Sequence, residues 1–218
     1  MILLGLDVSM SDTGVAVYDT EKDKFLEILS IPTDKVFRKV KKDMPWESEF
    51  HGSRLKLIYD KLTEIKNKYK IDTVISERGF SRFNKSTQVV YKVHGVSSLV
   101  FYDIPCIYYT TKGIKESVTS TGNATKFAIK EFIIKRYPEL KDVLVNDNES
   151  DACACVLAYM ITNDNNYKYL QNYDEILDEI IEAEKLIEEE IRLKREENIR
   201  KKKESKKNNA WLISVIML

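Results

Sequence analysis

One carboxylate stands near the end of an almost unbroken apolar stretch at the start of the chain. Residues 2–8 read Ile-Leu-Leu-Gly-Leu-Asp-Val, which predicts a central strand buried on both faces. A polar turn, residues 9–14, follows, and Val15 to Tyr18 runs back as a second strand. Burying an ionised carboxylate in such a place removes its hydration, and the free-energy cost is large unless a metal ion or a fixed partner compensates for it. Asp7 is therefore a candidate metal ligand, and the alternative is a carboxylate that caps the turn.

Two further acids occupy comparable positions. Glu77 closes a short β-branched run that begins at Thr73, and Asp151 opens an apolar helix that extends to Met160. Side chains three or four residues apart share a helix face, so Asn148 or Asp147 can stand beside Asp151.

The ligand types indicate which cation such a site would hold. Carboxylate and amide oxygens with no histidine or thiolate nearby favour Mg²⁺ or Mn²⁺ over zinc. The predicted ligands are Asp7, Glu77, Asn148 and Asp151. Simple helix capping by Asn148 and Asp151 is the alternative explanation for those two residues.

The elements that position these residues predict an α/β fold. Three antiparallel strands are followed by two strands that alternate with helices, and strands separated by helices pair in parallel. We expect the first strand to be central, so that Asp7 and Glu77 lie at the carboxyl ends of neighbouring strands. The predicted elements after the first two strands are a strand at 24–31, a helix at 53–69, a strand at 73–77, a helix at 86–101, a strand at 106–109 and later helices.

Length and composition limit the number of domains and the cellular compartment that the chain is compatible with. The 218 residues suffice for one domain, 1–163, with a helical extension, 164–218. Net charge is zero, but residues 174–190 are mostly acidic and residues 192–207 mostly basic. The apolar seam of the extension fits a coiled coil or a helix packed on its own domain. No stretch has membrane-spanning length, and three cysteines in apolar settings suit a reducing cytosol.

Three motifs follow one another along the chain: Gly5-x-Asp7 with Thr13-Gly14, Ile75-x-Glu77-x-x-Phe80, and Asp151-Ala152. Together they resemble a known family, the RuvC-type Holliday-junction resolvases of the ribonuclease-H-like superfamily. The likeness covers about residues 1–163, and a phage-encoded member would fit it. Residues 112–126, which include several lysines, resemble the part of the family that faces DNA.

The resemblance implies roles for individual residues. Asp7, Glu77 and Asp151 match three of the four metal-binding acids of the family. The fourth position holds Asn148, a departure that leaves a second metal more weakly bound or held by Asp147 instead. Further matches are Phe80, the aromatic that stacks on a base near the crossover, and Lys115 and Lys126, basic residues near the scissile phosphate and the DNA backbone.

The implied function is a structure-selective, Mg²⁺-dependent endodeoxyribonuclease, with Mn²⁺ as a substitute. Its substrate would be the four-way junction, with other branched DNA left open. It would act as a homodimer through the helix at 86–101, in the cytosol or the host cytosol. Two other classes compete. One is a non-catalytic branched-DNA-binding protein, and the other is an actin-like ATPase or sugar kinase, for which 218 residues leave little room.

Overall fold

A five-stranded mixed sheet forms the centre of the molecule. The computed structural model describes the backbone of residues 1–44, 46–78, 85–163 and 173–216. The sheet order is β3-β2-β1-β4-β5, in which β1 pairs antiparallel with β2 and parallel with β4. The strands are β1 (Ile2–Asp7), β2 (Thr13–Asp19), β3 (Lys24–Ile31), β4 (Thr73–Glu77) and β5 (Cys106–Tyr109).

The register of the parallel pair decides where the acids lie. Leu6 of β1 is opposite Ser76 of β4, so Asp7 and Glu77 come next along neighbouring strands. Both carboxylates therefore project from the same carboxyl edge of the sheet. The predicted fold, with three antiparallel strands followed by two parallel ones and β1 at the centre, is confirmed.

Helices cover both faces of the sheet. Side chains alternate along β1, so Leu4 and Leu6 join the core with α2 and α3, while Gly5 contacts α6 on the other face. The α-helices before residue 164 are α1 (Thr33–Phe37), α2 (Glu47–Lys68), α3 (Lys85–Val100), α4 (Thr111–Thr119), α5 (Lys126–Arg136) and α6 (Asp147–Asn163). A further helix, α7 (Tyr173–Ile216), comes later in the chain.

The stretch between β3 and α2 differs from the sequence prediction. Residues 33–52 show no clear period, which predicts an irregular connection there, yet α1 forms at Thr33 and α2 already begins at Glu47. Buried Arg54 explains the order here, because its guanidinium donates to the carbonyl of Met10 at 2.8 Å and also bonds Thr33 and Asp34. These bonds fix the stretch to the β1–β2 turn, a contact that no local periodicity reveals.

The chain separates into two compact units, Met1–Tyr173 and Asp174–Leu218. Most of the second unit is the long helix α7. The domain division predicted at residues 163 and 164 stays a prediction, because residues 164–172 lie outside the described part. Within the described residues, no helix combines the length and apolar character that crossing a membrane requires.

Candidate active site

A pocket of about 280 Å³ opens at the carboxyl edge of β1 and β4. Its walls bring together three acids and two lysines that are far apart in the sequence. Its lining residues are Asp7, Glu77, Thr111, Ile114, Lys115, Lys126, Ile129, Asp151 and Ala154. Five of the seven residues predicted as site residues, namely Asp7, Glu77, Lys115, Lys126 and Asp151, therefore share one pocket.

Two glycines let α6 approach the sheet closely enough to deliver Asp151. A Cβ added to Gly5 would lie 2.1 Å from the carbonyl oxygen of Ala152, and one added to Gly14 would lie 1.9 Å from that of Asn148. Both distances are far below contact, so any side chain at either position would push α6 away. The structural reason for glycine at these two motif positions is close packing of this helix, which sequence inspection did not reveal.

The start of α6 is capped by residues other than the predicted ligands. Asn146 accepts a hydrogen bond from the backbone N–H of Glu149 at 3.1 Å, and the Glu149 carboxylate accepts from the N–H groups of Val145 and Asn146. This reciprocal pair is a capping box, whose Asn-x-x-Glu spacing is visible in the sequence. Capping therefore does not account for Asp151, whose carboxylate is left to line the pocket.

Burial and mutual repulsion make the carboxylates of the pocket reluctant to ionise. Burial, then the nearby charges of Asp151 and Glu77, raise the pKa of Asp7 to about 7. Burial likewise raises the pKa of Glu77 and of Asp151, although Thr111 opposes the first shift and Lys126 the second. Because burial and mutual repulsion disfavour the negative charges of these acids, a cation bound among them would be stabilised.

Neighbouring side chains already engage two of the acids. The ammonium of Lys126 lies 3.2 Å from a carboxylate oxygen of Asp151 and 3.4 Å from one of Asp147. The hydroxyl of Thr111 donates to the Glu77 carboxylate. Lys115 lines the pocket too and donates to the carbonyl oxygen of Ala124 at 2.6 Å. Thr111 was missed by sequence reasoning, since a threonine beside a helix start carries no distinctive signal.

The donor chemistry of the pocket fits a hard divalent cation, but the side-chain positions are not those of a complete coordination shell. In the part of the chain that the structure describes, no three acidic, histidine or cysteine side chains stand close enough together to hold an ion as placed. The ammonium of Lys126 lies 3.2 Å from a carboxylate oxygen of Asp151, so it would compete with a metal ion for that carboxylate. Carboxylate oxygens remain the donors that Mg²⁺ and Mn²⁺ prefer.

The remaining predicted site residues have less direct support. Asn148 lies half-buried in the first turn of α6 and is not among the residues that line the pocket. Asp147 is exposed and ion-paired with Lys126. Phe80, predicted to stack on a DNA base, lies outside the described residues.

The sheet order and the helices on its two faces are those of a ribonuclease-H-like fold, with three acids gathered in one pocket at the edge of the sheet. Residues 3–159 match the family described as crossover junction endodeoxyribonuclease RuvC. The chain belongs to this RuvC family, so the resemblance seen in the motifs and the predicted enzyme class, an endodeoxyribonuclease, are confirmed.

Individual proteins show the same relationship. The crossover junction endodeoxyribonuclease RuvC of Ehrlichia ruminantium strain Gardel is 29% identical over 164 residues, which are 73% of this chain and 96% of that protein. The RuvC structure from Thermus thermophilus superposes with a TM-score of 0.58 at 18% identity, over 74% of this chain and 94% of the other. T. thermophilus RuvC in complex with a Holliday junction substrate gives 0.57 at 15% identity, over 74% and 93%.

Proposed function

We propose that this protein resolves four-way DNA junctions by metal-dependent hydrolysis of phosphodiester bonds. The observation that carries the proposal is the convergence of Asp7, Glu77 and Asp151 on one pocket at the carboxyl edge of β1 and β4. Membership of the family of crossover junction endodeoxyribonucleases supports both the reaction and the substrate. The actin-like alternative loses its support, because the family match extends over most of the chain.

The metal is proposed to be Mg²⁺, with Mn²⁺ as a substitute. Asp7, Glu77 and Asp151 would hold it, with Asn148 or Asp147 as a further oxygen donor. A bound divalent ion supplies an activated water and neutralises the leaving oxygen. Asp7 is the best-placed ligand to be shared if two ions bind, because it belongs to the central strand and its pKa is raised to about 7.

The basic side chains of the pocket are proposed to act on the phosphate. Lys115 is held by the Ala124 carbonyl, so its ammonium has a fixed position beside the acids. Lys126 would exchange its ion pair with Asp151 for contact with the DNA backbone when the cation enters. Phe80 is proposed to contact a base near the crossover, on the resemblance alone.

A homodimer is proposed because a four-way junction presents two symmetric strands for cutting. The outer face of α3 supports this assembly. Leu99 near its end is 64% exposed and Tyr91 is also exposed, while Tyr102, in the turn just beyond α3, is 81% exposed. An added Cβ on Gly95 would meet nothing within 4 Å, so a second helix has room to approach there. We infer that α3 pairs with its counterpart in a second copy.

The proposed cellular location is the cytosol, or the host cytosol for a phage-encoded protein. All three cysteines are free, and two of them, Cys153 and Cys155, are buried in α6. Free, buried thiols suit a reducing compartment.

The test is cleavage of a labelled four-way junction with Mg²⁺ by the parent, by Asp7→Asn and by Glu77→Gln. We expect both variants to lose at least about a hundredfold in rate while junction binding persists. Glu139→Gln is the matched control, because it makes the same chemical change as Glu77→Gln on an exposed residue between α5 and α6, outside the pocket. A parent that binds the junction but leaves it uncut would establish the non-catalytic alternative, a binding protein independent of these acids.

A further inference from the structure

A second positively charged surface lies outside the pocket, between β3 and α2. The stretch from Lys35 to Trp46, here called the basic segment, carries five basic side chains against one acid. The five are Lys35, Arg38, Lys39, Lys41 and Lys42, and all are exposed.

What sets these cations apart is their concentration in one short stretch without acidic partners. Several basic side chains elsewhere in the domain have acidic partners, as Lys56 has Asp60 at 2.7 Å and Lys68 has Glu27 at 2.8 Å. Among the described residues, none of the five forms an ion pair with a carboxylate. Lys41 contacts the ring of Phe50 instead, 5.1 Å from its centroid. In a chain of zero net charge, this concentrates uncompensated positive charge on one surface.

The basic segment is fixed to the same edge of the sheet as the pocket. The backbone N–H of Asp34 donates to the carbonyl oxygen of Ser11 at 3.0 Å, and Arg54 of α2 bonds the carbonyl of Met10. Met10 and Ser11 belong to the turn that follows Asp7 directly. The segment therefore flanks the β1–β2 turn on the side away from α6.

Trp46 ends the segment with its side chain 68% exposed. Its carbonyl oxygen accepts from the N–H groups of Glu49 and Phe50 at 3.1 and 3.2 Å, so the residue is held at the start of α2. An exposed indole among unpaired cations is suited to nucleic acid, because the ring stacks on bases or sugars while the cations bind phosphates.

We propose that the basic segment binds the phosphate backbone of a junction arm other than the one in the pocket, with Trp46 in contact with that DNA. The inference rests on the proposed function for its substrate and extends it with a second binding surface. DNA is favoured over a lipid surface because the segment adjoins the edge that holds the pocket of a junction nuclease.

Junction binding in EDTA, measured from low to high salt, tests this inference without any cleavage. The test variant is Lys39→Gln with Lys42→Gln. The control is Lys24→Gln with Lys70→Gln. Both lysines are exposed, and Lys24 begins β3 while Lys70 precedes β4, at the opposite edge of the sheet. Losing two phosphate contacts should reduce the slope of log K against log salt by up to about 1.8 and weaken binding at least about fivefold at roughly 0.1 M salt. The control should match the parent.

A second measurement isolates Trp46. The chain has two tryptophans, so Trp211→Phe leaves Trp46 as the sole indole. Junction DNA should quench its emission and protect it from acrylamide. The inference would be overturned if junction DNA left the Trp46 emission unchanged and the lysine variant kept the salt slope of the parent. It would also be overturned if the parent bound phosphatidylserine vesicles while the lysine variant bound the junction as tightly as the parent. An uncut junction would refute the proposed hydrolysis and leave this result unaffected.

Discussion

The ammonium of Lys126 lies 3.2 Å from the carboxylate of Asp151, in the pocket where a divalent cation would compete with it. Burial lowers the pKa of Lys126, but the charges and hydrogen bonds of Asp151 and Asp147 outweigh it, so the pKa is raised and the side chain stays protonated at neutral pH. The lysine from α5 thus neutralises the acid from α6 when no metal does so. We propose that a metal ion entering the pocket replaces this ammonium, one cation for another.

This exchange predicts the effect of Lys126→Gln. Removing the competing ammonium should strengthen Mn²⁺ binding about tenfold, or about 1.4 kcal/mol, while junction cleavage slows because a phosphate contact is lost. Titration calorimetry with Mn²⁺ measures the first effect. Lys130→Gln, one turn further along α5, is the control and should leave metal affinity unchanged. Equal affinities for the parent and Lys126→Gln would show that the ion pair does not oppose metal entry.

Asp7 should make the stability of the metal-free protein depend on pH. Its pKa is about 7 in the folded chain, against about 3.9 when unfolded. Between these values the folded state binds more protons than the unfolded state, so the free energy of unfolding falls as pH rises from about 4 to about 7 and then levels off.

Asp7→Asn removes that titration. In EDTA we expect the variant to exceed the parent in stability by up to about 4 kcal/mol at pH 8 and to match it near pH 4. Thermal unfolding from pH 4 to 8 measures the difference, and Mg²⁺ should stabilise the parent more at pH 8 than at pH 5. A stability difference independent of pH would contradict the perturbed carboxylate. Asp142→Asn, an exposed acid before α6, serves as the control.

Gly14→Ala should destabilise the domain, since its Cβ would lie 1.9 Å from the Asn148 carbonyl oxygen, a backbone atom that cannot turn away. We expect a loss of about 3 kcal/mol and slower cleavage, because α6 must shift and carry Asp151 with it. Gly52→Ala is the matched control: its Cβ meets nothing within 4 Å, and alanine favours a helix by about 0.5–1 kcal/mol. Chemical denaturation of both variants would decide; equal stabilities would refute close packing at Gly14.

The amide at position 148 should limit metal affinity. Asn148→Asp adds a negative charge in the first turn of α6, and we expect it to lower the Mg²⁺ concentration for half-maximal cleavage about tenfold. Asp147→Asn distinguishes the alternative donor: it should raise that concentration if Asp147 supplies the missing ligand. Metal-dependence curves for the two variants measure both effects. No change in either would remove both residues from the metal site.

Leu99→Glu should convert the proposed dimer into a monomer, because a charge replaces an exposed leucine on the outer face of α3. Light scattering after size-exclusion chromatography measures the mass. We expect the variant to nick one strand of a junction without making the paired second cut. Tyr59→Glu places the same charge on an exposed aromatic of α2 and should remain dimeric. A dimeric Leu99→Glu protein would place the interface elsewhere.

Much of this protein follows from its sequence alone. Apolar runs bounded by polar turns determined the strands, and the helices between the later strands determined their parallel pairing. That order alone placed Asp7 and Glu77 at neighbouring strand ends, and the motif with Asp151 identified the family. These conclusions depend on local periodicity and on the few topologies a sheet permits.

Only the tertiary structure decided how the pocket is assembled. The approach of α6 to Gly14, the bond from Thr111 to Glu77 and the ion pair of Lys126 join residues distant in the chain. The same holds for Arg54, which orders the stretch before α2 by contacting the β1–β2 turn. A local pattern records which face of a helix is apolar, but not which atom of another element it will meet. That is fixed only when the packed chain brings the two together.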